Sequence, residues 1–286
     1  KMTECAGAFA SLVDWSLLDV LHGVEDAPSL ERVEIVQPVL FAVMVSLAEL
    51  WRSVGVLPDA VVGHSQGEIA AAHVAGVLSL EDAVRIVILR SAALTVLAGR
   101  GGMVSVISPL ERVEDLLDGF DRLSIAAVNG PGSVVVSGET GQLERFLTEC
   151  EHRDIRARRI AVDYASHSSQ VEQLREQLLD TLATVQTRSA QTAFYSTVTG
   201  ALYDPAGMDT RYWFDNLRET VRFEQAVQAL HRDGYTVFVE ASPHPLLVVD
   251  IEQICEAAAP ADSVDPVIVG SLRRDEDGTT AFTQAM

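Results

Sequence analysis

One hexapeptide narrows the folds open to this chain more than any other feature. Gly63-His64-Ser65-Gln66-Gly67-Glu68 follows the apolar residues Val61 and Val62 and precedes a helix-forming run. A serine between two glycines at a strand-to-helix junction is the layout of a nucleophile elbow. The strand enters a turn expected to be too tight for side chains at Gly63 and Gly67. The Ser65 hydroxyl is left exposed at the strand tip. The next helix turns its N-terminal N–H groups toward negative charge developing there. Such a turn belongs to an α/β fold and suits acyl transfer, although an ordinary turn can carry the same pattern.

The rest of the chain supports that architecture. Leu40, Val43, Met44, Leu47, Leu50 and Trp51 keep helical spacing, which predicts a helix over 38–53 begun by Pro38. Residues 60–62 read as a short strand and 66–76 as the elbow helix, stopped by Gly76. Ser79 starts another helix in capping-box fashion, running to about Ala98. The rhythm then changes. Strands over 103–107, 123–128, 134–137 and 159–162 alternate with helices over 110–117 and 141–150, around the turn Asn129-Gly130-Pro131-Gly132. That βαββαβ order is the ferredoxin-like unit. Beyond it, helices over 171–182 and 223–232 alternate with strands over 192–196 and 237–239. The expected fold is α/β: a parallel-sheet core with an inserted ferredoxin-like α+β subdomain and a cleft between them. The bounds are 1–102 and 163–286 for the large subdomain and 103–162 for the small one.

Composition narrows the partners. The chain has 286 residues, 48% of them hydrophobic, enough for a substantial core. Its net charge of −20, from 21 basic and 41 acidic residues, argues against nucleic acid or an anionic membrane as partner. The longest apolar segment, 39–50, is shorter than the ~20 residues a bilayer requires. Cys5, Cys150 and Cys255 are scattered, with neither metal nor disulfide spacing, which fits a reducing cytoplasm. Arg153, Arg156, Arg158 and Arg159 form one dense basic cluster, either solvated surface or a docking patch for an acidic partner.

A serine nucleophile needs a general base. His64 points away from the serine, His73 lies among alanines, and His22, His152 and His231 lack catalytic cues. His167, in Tyr164-Ala165-Ser166-His167, stands where the chain returns from the small subdomain to the large one. His244 is held between Pro243 and Pro245, like the late histidine of a hydrolase, with Asp204, Asp209 or Asp215 available as the acid. The cleft position favours His167, but residues alone leave both open.

The elbow, Tyr164-Ala165-Ser166-His167 and Ser242-Pro243-His244-Pro245 together resemble the acyltransferase domain of modular type I polyketide synthases. That family is related to the malonyl-CoA:acyl-carrier-protein transacylases. The resemblance extends to the segments 32–37, 101–106 and 127–131 and covers nearly the whole chain. It implies a hydrolase-like core with a ferredoxin-like insertion. It also implies Ser65 as nucleophile, His167 as base, Gln66 as an oxyanion-hole N–H, and the backbone carbonyl of Asn216 as the group orienting His167. Arg90 matches the arginine that grips the extender unit's free carboxylate, a role suited to a bidentate guanidinium. Tyr164 and Ser166, with Gln66, match the methylmalonyl pattern, since Ser166 leaves room for an α-methyl group that phenylalanine would fill.

The implied reaction needs no bound cofactor. An acyl-CoA acylates Ser65, and the phosphopantetheine thiol of an acyl carrier protein takes the acyl group, with ketosynthase and linker domains as neighbours. Malonyl- or ethylmalonyl-specific transfer, or a serine hydrolase using His244, are the alternatives. The family's Gly-Gln-Gly-x-Gln motif is not in the sequence, so the chain is expected to begin downstream of it.

Overall fold

The computed structural model describes residues 1–258 and 265–286. Three helices, α1 (Met2–Phe9), α2 (Leu17–His22) and α3 (Val33–Ser53), precede strand β1 (Ala60–Val62), the elbow helix α4 (Gly67–Val74) and α5 (Leu80–Leu94). Helix α3 begins at Val33, not at Pro38. Arg32 is already extended and caps it, and Pro38 sits inside the second turn, where its missing N–H deprives only the Glu34 carbonyl. The helix is 21 residues long and apolar enough by composition to match a membrane span. Half of its most apolar window is buried, and the helix packs on α4 and α5. Ser79 caps α5 through its hydroxyl, which accepts from the Asp82 N–H at 3.0 Å.

The chain next builds β2 (Gly101–Ile107), α6 (Leu110–Leu117), β3 (Leu123–Gly130), β4 (Ser133–Glu139), α7 (Thr140–His152) and β5 (Arg156–Arg159). The strands form an antiparallel sheet in the order β3-β4-β2-β5, the ferredoxin-like arrangement. Strand β5 lies three residues earlier than the sequence suggests. It pairs Arg159 with Val104 and Arg156 with Ile107, and Ile160 adds one more hydrogen bond, its N–H to the Met103 carbonyl at 2.9 Å. Val104, Val106, Val134 and Val136 face α6 and α7 and pack on Val113, Leu116, Leu143 and Phe146. Burying each such side chain stabilises the fold by about 1.5–3 kcal/mol.

The chain continues with a 3₁₀ turn at Ser169–Leu174 that leads into α8 (Arg175–Thr181), where one continuous helix is expected. Then come β6 (Ala193–Ser196), β7 (Ala201–Leu202), α9 (Thr210–Arg218), α10 (Phe223–Arg232), β8 (Val237–Glu240), α11 (Val248–Ala258), β9 (Val267–Gly270) and α12 (Gly278–Ala285). β1 pairs in parallel with β6, and β8 with β9, so the parallel core lies in two pieces among the described residues. Helices α10 and α11 press Phe223, Val227, Ile251 and Ile254 onto Ala127, Val135 and Met103 of the four-stranded sheet. This seam packs the four-stranded sheet against α10 and α11.

Candidate active site

Strand β1 ends in the elbow, and Ser65 adopts a left-handed backbone, φ 52°. For a non-glycine residue this costs on the order of 1–3 kcal/mol, and surrounding contacts must hold it. A side chain at position 63 would lie 2.2 Å from the Glu68 nitrogen and 2.3 Å from the Gly67 carbonyl carbon, so Gly63 is obligatory. Gly67 is not. Its added Cβ would meet only the Met44 sulfur, at 3.9 Å.

Glu68 does the holding. Its carboxylate is fully buried and accepts hydrogen bonds from the Tyr212 hydroxyl (2.6 Å), the Thr197 N–H (3.1 Å) and the Asn216 Nδ2 group. Asn216 Nδ2 also donates to the Ser65 carbonyl at 3.2 Å. The Thr197 hydroxyl sits between the Gly63 carbonyl (2.9 Å) and Glu68 Oε2 (3.1 Å) and can donate to either. Burial is the larger effect and raises the carboxyl's pKa on balance, although these donors lower it. The turn is thereby tied at residues 63, 65 and 68 to α9 and to the loop after β6.

His167 meets the serine. Its Nε2 lies 2.7 Å from Ser65 Oγ, and its Nδ1–H donates to the Glu219 carbonyl at 2.7 Å. The orienting carbonyl is therefore that of Glu219, not Asn216. Asn216 lies within α9 and contributes its side chain to the elbow, whereas Glu219 caps that helix in an extended conformation and faces the imidazole. With Nδ1 committed as donor, Nε2 keeps its lone pair for the serine proton. His167 is itself left-handed, φ 55°, and is held by its N–H to the Leu217 carbonyl (2.9 Å) and by the Ser137 hydroxyl to its own carbonyl (3.3 Å). Burial, reinforced by the nearby Arg90 cation, pulls its pKa down to about 3, so the ring is neutral at ordinary pH.

Three of the other histidines are committed elsewhere. His244 Nδ1 accepts the Arg274 N–H at 3.2 Å. His64 Nε2 lies 2.8 Å from Asn129 Oδ1 in the small subdomain, with its ring against Phe223. His73 Nδ1 lies 3.1 Å from the Leu78 carbonyl.

Arg90 of α5 is only 2% exposed, and its Nη2 donates to Ser65 Oγ at 3.3 Å. Its Nε and Nη1 have no hydrogen-bond partner among the described residues. Burial pulls its pKa down to about 10, which leaves it charged at neutral pH. A buried guanidinium with two unmatched donors beside a nucleophile has the chemistry to bind a carboxylate. The Gln66 main-chain N–H has no acceptor among the described residues and is free to meet an oxyanion. Tyr164 accepts from Gln37 Nε2 at 3.2 Å, and the Ser166 hydroxyl lies 3.5 Å from the Met103 sulfur. Both are buried. Among the described residues no group of three His, Cys, Asp or Glu is placed to hold a metal.

Sequence reasoning thus brings Ser65, Gln66, Arg90, Tyr164, Ser166 and His167 to one place. It misses Glu68, Thr197 and Tyr212, and it assigns Asn216 the wrong atom. Glu68 stands in the quoted hexapeptide, but its partners lie well over a hundred residues away.

The whole chain, residues 1–286, matches the family model described as the acyl transferase domain. It is 55% identical over 283 residues to mycoketide-CoA synthase of Mycobacterium tuberculosis, covering 99% of this chain and 7% of that protein. To erythronolide synthase EryA2 of Saccharopolyspora erythraea it is 53% identical over 287 residues, covering 100% of this chain and 8% of that one. The chain thus spans under a tenth of either relative. Its structure is similar to the acyltransferase domain from module 8 of the salinomycin polyketide synthase, with a TM-score of 0.95 and 51% identity, covering 99% of this chain and 66% of that one. The malonyl CoA-acyl carrier protein transacylase of Coxiella burnetii shares the fold, with a TM-score of 0.85 and 22% identity, covering 99% of this chain and 88% of that one.

Proposed function

This chain belongs to the acyl transferase domain family, and we propose that it loads a methylmalonyl extender unit from acyl-CoA onto an acyl carrier protein in polyketide assembly. The observation that carries the reading is the meeting of two groups at one oxygen. Ser65 Oγ lies 2.7 Å from a neutral imidazole and 3.3 Å from a buried guanidinium that still holds unused donors.

In the reaction, His167 Nε2 takes the Ser65 proton as Oγ attacks the thioester carbonyl. The Gln66 N–H stabilises the resulting oxyanion. Collapse expels coenzyme A as its thiol, with His167 returning the proton, and leaves an acyl ester on Ser65. The phosphopantetheine thiol of the carrier then repeats the sequence in reverse. Arg90 holds the free carboxylate of the acyl group, which fixes the ester carbonyl against the oxyanion donor and keeps the acyl chain in place between half-reactions. The methylmalonyl assignment rests on Ser166, a small buried residue beside Met103 where an α-methyl group needs room. Ketosynthase and linker domains are the neighbours this reading implies.

The test is intact mass measurement after mixing the chain with methylmalonyl-, malonyl- and ethylmalonyl-CoA in competition. A methylmalonyl increment that disappears in Ser65→Ala supports the reading. A dominant malonyl increment would overturn the specificity, and no increment from any of the three would overturn the transfer.

A further inference from the structure

The arginine cluster read from the sequence divides in the structure. Arg153 ends α7 and is held by Glu149 at 2.6 Å. Arg156, Arg158 and Arg159 lie on β5, an edge strand, and are exposed. Among the described residues none of these three is within ion-pairing distance of a carboxylate. In a chain with almost twice as many acids as bases, three adjacent unpaired cations are a conspicuous local reversal of charge. They line a groove of about 270 Å³ together with Ser105, Ile107 and Ile160.

Strand β2 leads from that groove toward the active site, and Ile160 of the groove donates its N–H to the Met103 carbonyl at 2.9 Å. Met103 lies against Ser166, and it is paired with Ser137, whose hydroxyl reaches the His167 carbonyl. Side chains alternate along a strand, so Met103, Ser105 and Ile107 share one face of the sheet. Arg158 is opposite Ser105 and Arg156 is opposite Ile107, on that same face. Helices α10 and α11 cover the β3 side of the face, while the β2–β5 side stays open. At ~3.3 Å per residue the open face runs ~13 Å from Met103 to Ile107. A pantetheine arm has about thirteen bonds between sulfur and phosphorus, which extend to roughly 15 Å at the spacing of a stretched peptide.

Resting on the acyl-transfer reading, we propose that this groove binds the phosphate end of the acyl-CoA substrate. The pantetheine lies along Met103, Ser105 and Ile107, and Arg156 and Arg158 take the phosphates, with Arg159 at the rim of the groove. Coenzyme A is the fitting occupant because its diphosphate and ribose phosphate gather several negative charges in one place, matching the two guanidinium groups on this face and a third at its rim. The single phosphodiester of a carrier arm offers far less charge.

The experiment compares two thioesters of the same acyl group, methylmalonyl-CoA and methylmalonyl-N-acetylcysteamine, which lacks phosphate. The Arg156→Ala/Arg158→Ala variant should raise KM for the CoA thioester about tenfold or more, from the loss of charged hydrogen bonds, with kcat nearly unchanged. It should leave the N-acetylcysteamine thioester within about twofold. The Lys/Lys variant should recover part of the loss, and added salt should weaken wild-type CoA binding more than that of the Ala/Ala variant. Equal loss on both thioesters, or on neither, overturns the proposal. So does an intact CoA half-reaction with slowed transfer to the carrier, which would make the groove a carrier contact. If wild-type chain forms no acyl-Ser65 with either thioester, the transfer reading fails and this proposal falls with it.

Discussion

Two buried ionisable groups flank the nucleophile and could hardly be treated more differently. Glu68 has donors from three residues converging on its carboxylate. Arg90, as deeply buried, makes one long contact and leaves Nε and Nη1 unmatched. A charge withdrawn from water is tolerable when its surroundings replace the lost hydrogen bonds. Glu68 meets that condition within the protein and is part of the scaffold. Arg90 meets it only when something carrying negative charge arrives. The degree to which a buried ion is satisfied therefore separates what holds the site from what the site is built to receive.

That contrast can be broken at several points. The reference for all of them is His167→Ala, which should slow formation of the acyl-enzyme by about 10²–10⁴-fold, seen as the rate of mass increment. Glu68→Ala should strand the Tyr212, Thr197 and Asn216 donors and cost about 3 kcal/mol or more, a lowered Tm by calorimetry. Loading of carboxylated and uncharged acyl groups should fall together in that variant. Arg90→Ala should do the opposite: Tm holds or rises, while loading of methylmalonyl falls about 10–100-fold relative to an uncharged acyl group. Equal losses on both acyl types would place Arg90 in the scaffold beside Glu68.

Two further effects sharpen the picture. Tyr164→His with Ser166→Phe should move the malonyl-to-methylmalonyl competition ratio toward malonyl by ~10–200-fold, the worth of one methyl in a fitted pocket. The smallest effect is on pH. The folded pKa of His167, about 3, lies below the ~6.5 of an unfolded histidine. As pH falls below 6.5, the unfolded chain binds a proton that the folded one refuses. Stability should drop by about 1.4 kcal/mol per pH unit from this residue until pH approaches its folded value. Denaturant titrations of wild type and His167→Asn between pH 7 and 5 should diverge by that slope. Parallel curves would mean that the ring is not held neutral.

What the sequence discloses follows from where each signal is stored. Helices α6 and α10 stand at the bounds that their apolar spacing predicts. Strand β5 does not, because Arg-Ala-Arg-Arg has no apolar alternation and the eye slides on to Ile160 and Val162. The start of α3 is misread for a related reason: Pro38 is a familiar first residue, and its tolerance one turn further in depends on what surrounds it. At the site, Ser65, His167 and Arg90 are legible because their chemistry is in their side chains and their motifs are local. Glu68 needs partners that only the folded chain supplies. The carbonyl that aligns His167 has no letter of its own, so pattern matching assigned it to Asn216, a residue with a different task three positions earlier.

That last feature reaches beyond the error it caused. Because an amide oxygen of the main chain steers the imidazole, no replacement of the Glu219 side chain can remove the steering group. Codon changes there would be silent to chemistry provided the path of the polypeptide is kept, whereas inserting or deleting one residue between 216 and 219 would disable the base without touching a single reactive atom.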